Sequence, residues 1–195
     1  EAMQPLSLSG TSNLPNGSAI TVTLNGVDYQ TSVTNGVWSV QVPVTDVLNL
    51  ANTLYTVSVS GTDSVGNSGS ASANLLVDTV LPQVIINTFA GDNRVNNAEA
   101  AVDQILSGRV TGAAAGDTVS VSVGGKSYTA TVGNDLTWSV TVPSADLTAF
   151  GDGNLTFTAS VTNGHGNTGT GERDISINAE LPGLRVNTIS GDDVI

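Results

Sequence analysis

Between Ile86 and Ala100 the chain reads INTFAGDNRVNNAEA, which sets Asp92, Asn93, Asn96, Asn97 and Glu99 within eight residues. Carboxylates and amide oxygens at that density are the donors that a hard divalent cation takes, about six to eight at a time, from flexible loops. The spacing is not that of an EF-hand loop. The same residue types also close Asx-turns without any metal, so turn formation and cation binding both start from this stretch. Its opening returns near the end of the chain as VNTISGDDVI, Val186 to Ile195, with Asp192 and Asp193 in the place of Asp92 and Asn93.

Other chemistries find little to work with. The only histidine, His165, lies in NGHGN, where the first half of the chain has Val65 in DSVGN. Cysteine is absent. Without a second histidine or a thiol, the usual nucleophile and base pairs cannot be assembled, and a lone Ser or Asp lacks an activator. A carboxylate pair for glycoside hydrolysis is formally available, but nothing in the spacing singles one out. The stretch GAAAG (Gly112 to Gly116) does not lead from a strand into a helix, so it reads as a turn rather than a phosphate loop. The expectation is that the chain is not an enzyme.

Composition narrows the partners. Seventeen acidic residues against five basic ones give a net charge of −12, which repels a phosphate backbone and an anionic lipid surface alike. No apolar run approaches the roughly 18 residues needed to cross a bilayer. The opening EAMQPLSLSG has neither the basic nor the apolar region of a signal peptide and reads as the start of a fragment of a longer chain. Nucleic acid and membrane insertion are therefore not expected, and neither is a disulfide framework or a thiolate metal site. A soluble monomer is.

The elements that must position the acidic stretch come from a repeat of about 100 residues. NGVWSVQVPVTDV (Asn35 to Val47) matches DLTWSVTVPSADL (Asp135 to Leu147), so Trp38 pairs with Trp138 and Asp46 with Asp146. TDSVGN (Thr62 to Asn67) matches TNGHGN (Thr162 to Asn167), and VDTVLPQVIINTFAGDN (Val77 to Asn93) matches INAELPGLRVNTISGDD (Ile177 to Asp193). Even Glu1 and Ala2 align with Glu99 and Ala100. The expected organisation is one domain over residues 1–79, lacking part of its N-terminal strand, a complete domain over 80–178, and the first strand of a third over 179–195.

Within each repeat the apolar period is two, as in TVSVSVG (Thr118 to Gly124), and Gly124–Gly125 supplies a hairpin turn into KSYTATV. About seven short strands per repeat indicate an all-β chain of tandem immunoglobulin-like β-sandwiches. Trp38 and Trp138, flanked by alternating valines, are the expected core plugs. SADLTAF (Ser144 to Phe150) predicts a helical turn with Ser144 as N-cap. On such a sandwich, the loop after the first strand, the end of the last strand and the loop before it are expected to meet at one pole. Asp92, Asn97 and Glu99 would then join Asp78 and Asp63 at the first junction. The second junction replaces Asp63 by Asn163 and Asp78 by Asn178, keeps Asp192 and Asp193, and gains Glu180.

Taken together, TDxxGN, a strand ending in Asp, a Pro-containing linker, NTxxGDNxxNxAE and a Trp-Ser-Val strand ending in Pro resemble the tandem bacterial Ig-like repeats of giant type I-secreted adhesins. The resemblance covers essentially the whole chain. It implies a long surface filament, exported to the cell exterior, in which calcium ions at domain interfaces stiffen the rod for attachment to host cells. Mapped onto this sequence, the implied ligands are Asp63, Asp78, Asp92 and Glu99, with Asn93 and Asn97 as amide or carbonyl donors. The implied partners are neighbouring repeats of the same chain and, through the complete adhesin, a host-cell glycan or receptor. The alternative is a module that itself engages a host glycan or protein, through loops at one pole or through Tyr29 or Tyr128.

Overall fold

The computed structural model describes residues 4–185. The chain separates into two compact units, Glu1–Val80 and Leu81–Ile195. Unit 1 contains β1 (Leu6–Thr11), β2 (Ala19–Leu24), β3 (Val27–Ser32), β4 (Val37–Val42), a single helical turn α1 (Val44–Val47), β5 (Thr53–Thr62) and β6 (Ser68–Val77). Unit 2 adds two strands at its start: β7 (Gln83–Ile86) and β8 (Arg94–Asn96), followed by α2 (Asn97–Ala100). It then repeats the pattern of unit 1 with β9 (Gln104–Thr111), β10 (Thr118–Val123), β11 (Lys126–Thr131), β12 (Thr137–Val142), α3 (Ser144–Phe150), β13 (Gly153–Thr162) and β14 (Thr168–Asn178). No helix among the described residues is long and apolar enough to cross a membrane.

Unit 2 is two sheets face to face, one ordered β12-β9-β7 and the other β11-β10-β13-β14-β8. Alternation decides which side chains enter the space between them. In β10, Val119, Val121 and Val123 are buried while the intervening hydroxyls face water. In β13, Phe157, Ala159 and Val161 do the same. The hairpins follow turn chemistry: Asn25–Gly26 and Gly124–Gly125 each take positive φ at both central positions, the geometry that matches strand twist in a two-residue turn.

Trp138 is 2% exposed and Trp38 9%, as core plugs should be. Each stands opposite a glycine on the neighbouring strand, Trp138 against Gly108 and Trp38 against Gly10. A Cβ on Gly108 would lie 2.6 Å from the Trp138 ring and 2.0 Å from the Ile85 carbonyl oxygen, so the indole and β7 occupy the space a side chain would need. The helical turn at Ser144 forms, but its N-cap is Pro143, which makes no side-chain cap. The Ser144 amide instead donates to Asp103 Oδ1 at 2.8 Å, so the cap comes from a residue distant in sequence that the local pattern does not show.

The first segment of unit 2 serves both sheets. β7 pairs antiparallel with β9; the chain then crosses the sandwich and β8 pairs parallel with β14, Arg94 opposite Ser176 and Asn96 opposite Asn178. Phe89 fills the crossing, fully buried, with its ring edge-on to Phe157 at 5.0 Å. Ala90, Gly91 and Asn93 all take positive φ here. The loop is closed by Asn93 N donating to Phe89 O at 2.7 Å and Phe89 N donating to Asn93 Oδ1 at 3.0 Å.

Two substitutions test this packing. Trp138→Ala is expected to destabilise unit 2 by about 3–5 kcal/mol. Gly108→Ala should cost about 1–3 kcal/mol because backbone as well as a ring must move. Chemical denaturation should show both losses in the transition of unit 2, with that of unit 1 unchanged.

Candidate metal centre

The strand crossing sets where the acidic stretch sits. The chain enters unit 2 at Leu81–Pro82, beside Gly169 at the start of β14, where an added Cβ would lie 1.7 Å from the Pro82 carbonyl oxygen. Asn163 is at the same end, its Nδ2 donating to Gly112 O at 3.2 Å, with Pro82 3.3 Å from a Cβ built on Gly112. Residues 94–96 lie instead beside the last residues of β14. At about 3.3 Å per residue, the run from Gly169 to Asn178 separates these two poles by about 30 Å. The acidic stretch is thus at the pole where the chain leaves unit 2.

At that exit pole the side chains are held by backbone hydrogen bonds. Asn96 caps α2, its Oδ1 accepting from Ala98 N at 2.9 Å and Glu99 N at 3.1 Å. Glu99 Oε2 returns the bond by accepting from Asn96 N at 3.0 Å, completing a capping box. Asp92 Oδ1 accepts from Arg94 N at 2.8 Å. Asn97 Nδ2 donates to Ala179 O at 2.9 Å, and Ala179 N donates to Asp152 Oδ1 at 2.8 Å, which ties the departing chain to both α2 and the loop before β13. Asp92, Asn178 and Glu180 line one cleft, together with Arg94 and Asn154.

The expected meeting of Asp63 with Asp78 does not occur. Asp63 opens the hairpin turn between β5 and β6, whereas Asp78 follows Val77 at the far end of β6. A ten-residue strand places them about 30 Å apart, because a hairpin turn and the end of its second strand are at opposite poles by construction. Asn163 and Asn178 are separated by β14 in the same way. Nor do Asp92, Asn97 and Glu99 share a pole of unit 2 with the incoming linker that follows Asp78. Asn178, at the end of β14, is the residue opposite Asn96 at their pole. Glu1, Asp192 and Asp193 lie outside the described residues.

Asp63 has turn work to do. Its Oδ1 accepts from Val65 N at 3.0 Å and Asn67 N at 2.8 Å, and its Oδ2 from Asn67 Nδ2 at 2.8 Å. The Asn67 amide is the largest of the influences that hold its carboxyl below the ordinary value. Asn163 Oδ1 receives the equivalent bonds from His165 N and Asn167 N, at 3.1 and 3.0 Å, which is why an amide can stand where the first repeat has an acid. Asp78 Oδ1 accepts from Val80 N at 3.0 Å, another Asx-turn.

The tyrosines considered for ligand stacking are also committed. Tyr29 Oη donates to Asp46 Oδ2 at 2.9 Å, and Tyr128 Oη donates to Asp146 Oδ2 at 2.8 Å. Both rings are half-buried. Burial, then the bond to Asp46, pushes the Tyr29 phenol up to about 12. Tyr128 is raised for the same reasons. Asp146 is held low by the Tyr128 hydroxyl and by Lys126, whose Nζ is 3.0 Å away. This staple from β3 or β11 to α1 or α3 recurs in both units. Its signal in the sequence was the recurrence of Tyr29 with Asp46 and of Tyr128 with Asp146 in matching positions.

As a metal centre, the exit pole offers hard donors: carboxylates from Asp92, Glu99 and Glu180, amide oxygens from Asn97 and Asn178, and backbone carbonyls. These suit calcium and not a thiophilic ion. One oxygen each of Asp92 and Glu99 is engaged by the backbone. Among the described residues, no three Asp, Glu or His side chains gather as a group that could hold a metal ion. The described residues thus offer donors of the right chemistry at one pole without a gathered coordination sphere.

No family model and no curated protein matches the sequence. Solved structures do. A 1.5-MDa bacterial ice-binding adhesin, described for its retention at the host cell surface, is 30% identical over 98% of this chain and 64% of its own, with a TM-score of 0.57. Both units are immunoglobulin-like β-sandwiches. A Ca2+-stabilised adhesin with which an Antarctic bacterium binds ice is likewise 30% identical over 98% of this chain, with a TM-score of 0.57, and 49% of its length is covered. One bacterial immunoglobulin-like domain of the M. primoryensis ice-binding adhesin is 33% identical over 50% of this chain and 98% of its own, at a TM-score of 0.42. The chain thus spans less than two thirds of the two longer neighbours. These are repeats of giant adhesins, as the sequence motifs implied. They are ice-binding adhesins, however, and do not single out the giant non-fimbrial adhesin of Salmonella that the motifs also resemble.

The turn at Asp63 yields a prediction with a sign. Because its pKa is depressed in the folded Ig-like unit, its contribution is present above the ordinary carboxylate value and is lost as pH falls through the lowered one. Asp63→Asn, which imitates Asn163, should keep unit 1 folded at neutral pH and flatten the acid limb of its thermal stability. Asp63→Ala should lower stability at neutral pH as well, read by calorimetry across a pH series.

Proposed function

We propose that this chain is a stalk segment of a giant bacterial surface adhesin, working outside the cell. In this reading calcium at the poles of its Ig-like repeats restricts the linkers and stiffens the rod for attachment to a host surface. The observation that carries the reading is the cleft at one pole of unit 2 lined by Asp92, Asn178 and Glu180, at the end of the domain where Asn97 holds the departing linker by its bond to Ala179. Its support from relatives is the similarity to a Ca2+-stabilised adhesin. Receptor recognition belongs, in this reading, to other parts of the complete protein. No observation in these two units favours direct binding of a glycan or receptor, since Tyr29 and Tyr128 are occupied by Asp46 and Asp146.

The ligand set follows the observed poles. Asp92, Asn93, Asn97 and Glu99 act with Asn178 and Glu180, and the sphere is completed by donors of the repeat that follows. Asp78 acts with its own repeat's copy of the stretch, and Asp192 and Asp193 belong to the next. Asp63 and Asn163 are turn residues of the opposite pole. Asp92 and Glu180 line the cleft that would hold calcium, which when bound would supply positive charge against their carboxylates. The chain's part is to hold those oxygens in place. The capping box fixes Glu99, the Arg94 amide fixes Asp92, and Asn97 clamps Ala179 so that the linker leaves in a set direction. A net charge of −12 and a fold that needs no disulfide suit export into a calcium-containing medium.

Calorimetric titration is the test. Asp92→Ala should weaken calcium binding about tenfold or more, equivalent to about 1.4 kcal/mol, while Asp63→Ala leaves the affinity unchanged. Small-angle scattering should show the spread of conformers narrowing in calcium and widening with a chelator. Equal affinities for the wild type and Asp92→Ala would remove the ligand assignment, and scattering curves that coincide would remove the stiffening role.

A further inference from the structure

The final hairpin of each unit stops pairing at the same register. In unit 1 the last pair is Thr53 opposite Val77, and in unit 2 it is Gly153 opposite Ile177. β6 ends at Val77 and β14 at Asn178, so Thr79 and Ala179 lie just past the last strand. Each is nevertheless held by its amide. Asn52 Oδ1 accepts from Thr79 N and from Thr79 Oγ1, both at 2.8 Å, and Asp152 Oδ1 accepts from Ala179 N at 2.8 Å.

Asn52 and Asp152 occupy one position of the repeat, the residue before β5 in unit 1 and before β13 in unit 2. The acceptor is an amide in one and a carboxylate in the other, and the bond length is the same. What recurs is an oxygen at that point, not a charge. The loops that deliver it differ. Asp152 stands between Gly151 and Gly153, whose φ values of 69° and 147° favour glycine. Asn52 stands between Ala51 and Thr53, and its loop is fixed instead by Ala51 N donating to Tyr55 Oη at 2.8 Å. Two different loops thus converge on one bond. The need to satisfy a polar group does not account for it, because Thr79 is exposed and water would serve its amide. The distinct effect of a side-chain acceptor is restraint on the direction of the chain.

The restraint has two sides at Ala179. Asp152 holds its N–H, and Asn97 Nδ2 holds its carbonyl oxygen at 2.9 Å. The peptide groups on both sides of this residue are therefore fixed. Asn178 precedes it and Glu180 follows it, and both line the cleft that also contains Asp92. In unit 1 the residue before Thr79 is Asp78, which accepts from Val80 N at 3.0 Å. Thr79 and Val80 are thus both tied by side-chain oxygens.

We propose that Asn52 and Asp152 are linker-positioning residues, which set the direction in which the chain leaves each Ig-like unit before any cation binds. The use of that restraint in a stalk rests on the function proposed above. The restraint itself needs no cation, because every atom in it belongs to the chain. A cation arriving at the exit pole of unit 2 meets Asn178 and Glu180 on a backbone already placed, which lowers the ordering cost of binding.

Hydrogen exchange of the full chain, followed by NMR with chelator present, tests this. Asp152→Ala should speed exchange at Ala179 N about tenfold and leave Thr79 N unchanged, and Asn52→Ala should do the reverse. Asp152→Asn, which imitates Asn52, should keep Ala179 N as slow as in the wild type. Thermal unfolding of both units should stay near that of the wild type in all three variants, since Asn52 and Asp152 are exposed. In the same buffer, small-angle scattering should show a wider spread of conformers for Asn52→Ala than for the wild type, a change that the loss of a purely local bond would not produce. Wild-type amides that exchange as fast as those of the alanine variants would overturn the proposal, as would protection that appears only when calcium is added. So would Asp152→Asn behaving like Asp152→Ala, or scattering of Asn52→Ala that coincides with the wild type. Equal calcium affinities of the wild type and Asp92→Ala, which remove the ligand assignment, would leave these exchange results standing.

Discussion

The structure depends on one strand switch. Between Ile86 and Arg94 the first segment of unit 2 leaves one sheet and joins the other, and Phe89 is driven fully into the space it crosses. The switch closes the core: β7 covers Gly108, Gly169 and Gly171, positions where the backbone of another strand occupies the room a side chain would take. It also fixes where the polar residues go. Once Phe89 is buried and β8 is registered against Ser176–Asn178, Asp92, Asn97 and Glu99 have one available position, the pole from which the chain departs. Core packing and the placement of the oxygen-rich cluster are two results of the same nine-residue crossing.

Much of this was legible in the residues. Alternating Val and Thr showed the strands, because a period of two has no other use in a sheet with one wet face. Asn25–Gly26 and Gly124–Gly125 showed the hairpins, and Trp38 and Trp138 showed the core. The site was harder to read. Asp63 and Asp78 are neighbours in any list of acids near the linker, yet β6 carries the chain from one pole to the other between them. Sequence separation understates distance along an extended strand and says nothing about which pole a residue reaches. For the same reason Asp92 and Glu99 stand at the exit pole of unit 2 and not beside the incoming linker. The length of the strand after TDxxGN carries that information, since ten residues is a full traverse of the domain.

Asx chemistry explains why the acids misled. Asp63, Asp78, Asp92 and Asn93 each accept backbone amides within a few residues, and Glu99 and Asn96 exchange bonds in a capping box. Their first role is to end strands and start turns in a chain with few aromatics and little charge. That role does not compete with a cation. An Asx-turn uses one lone pair of a carboxylate oxygen and fixes the side chain, so the second oxygen is presented without further entropic cost when an ion arrives. The exchange of Asp63 for Asn163 marks the opposite case, where the turn bonds are kept and the charge is dispensable.

The two units differ because a repeat's boundaries need not coincide with a sandwich's. Counting from the acidic stretch, each repeat starts at an exit pole. Counting from the core, each sandwich starts at β7, on the far side of that pole. In unit 2, β7 starts the sandwich beside Gly169, and the acidic stretch follows the crossing to the other end of β14, so a repeat counted from either one is offset from the other by a full traverse of that strand.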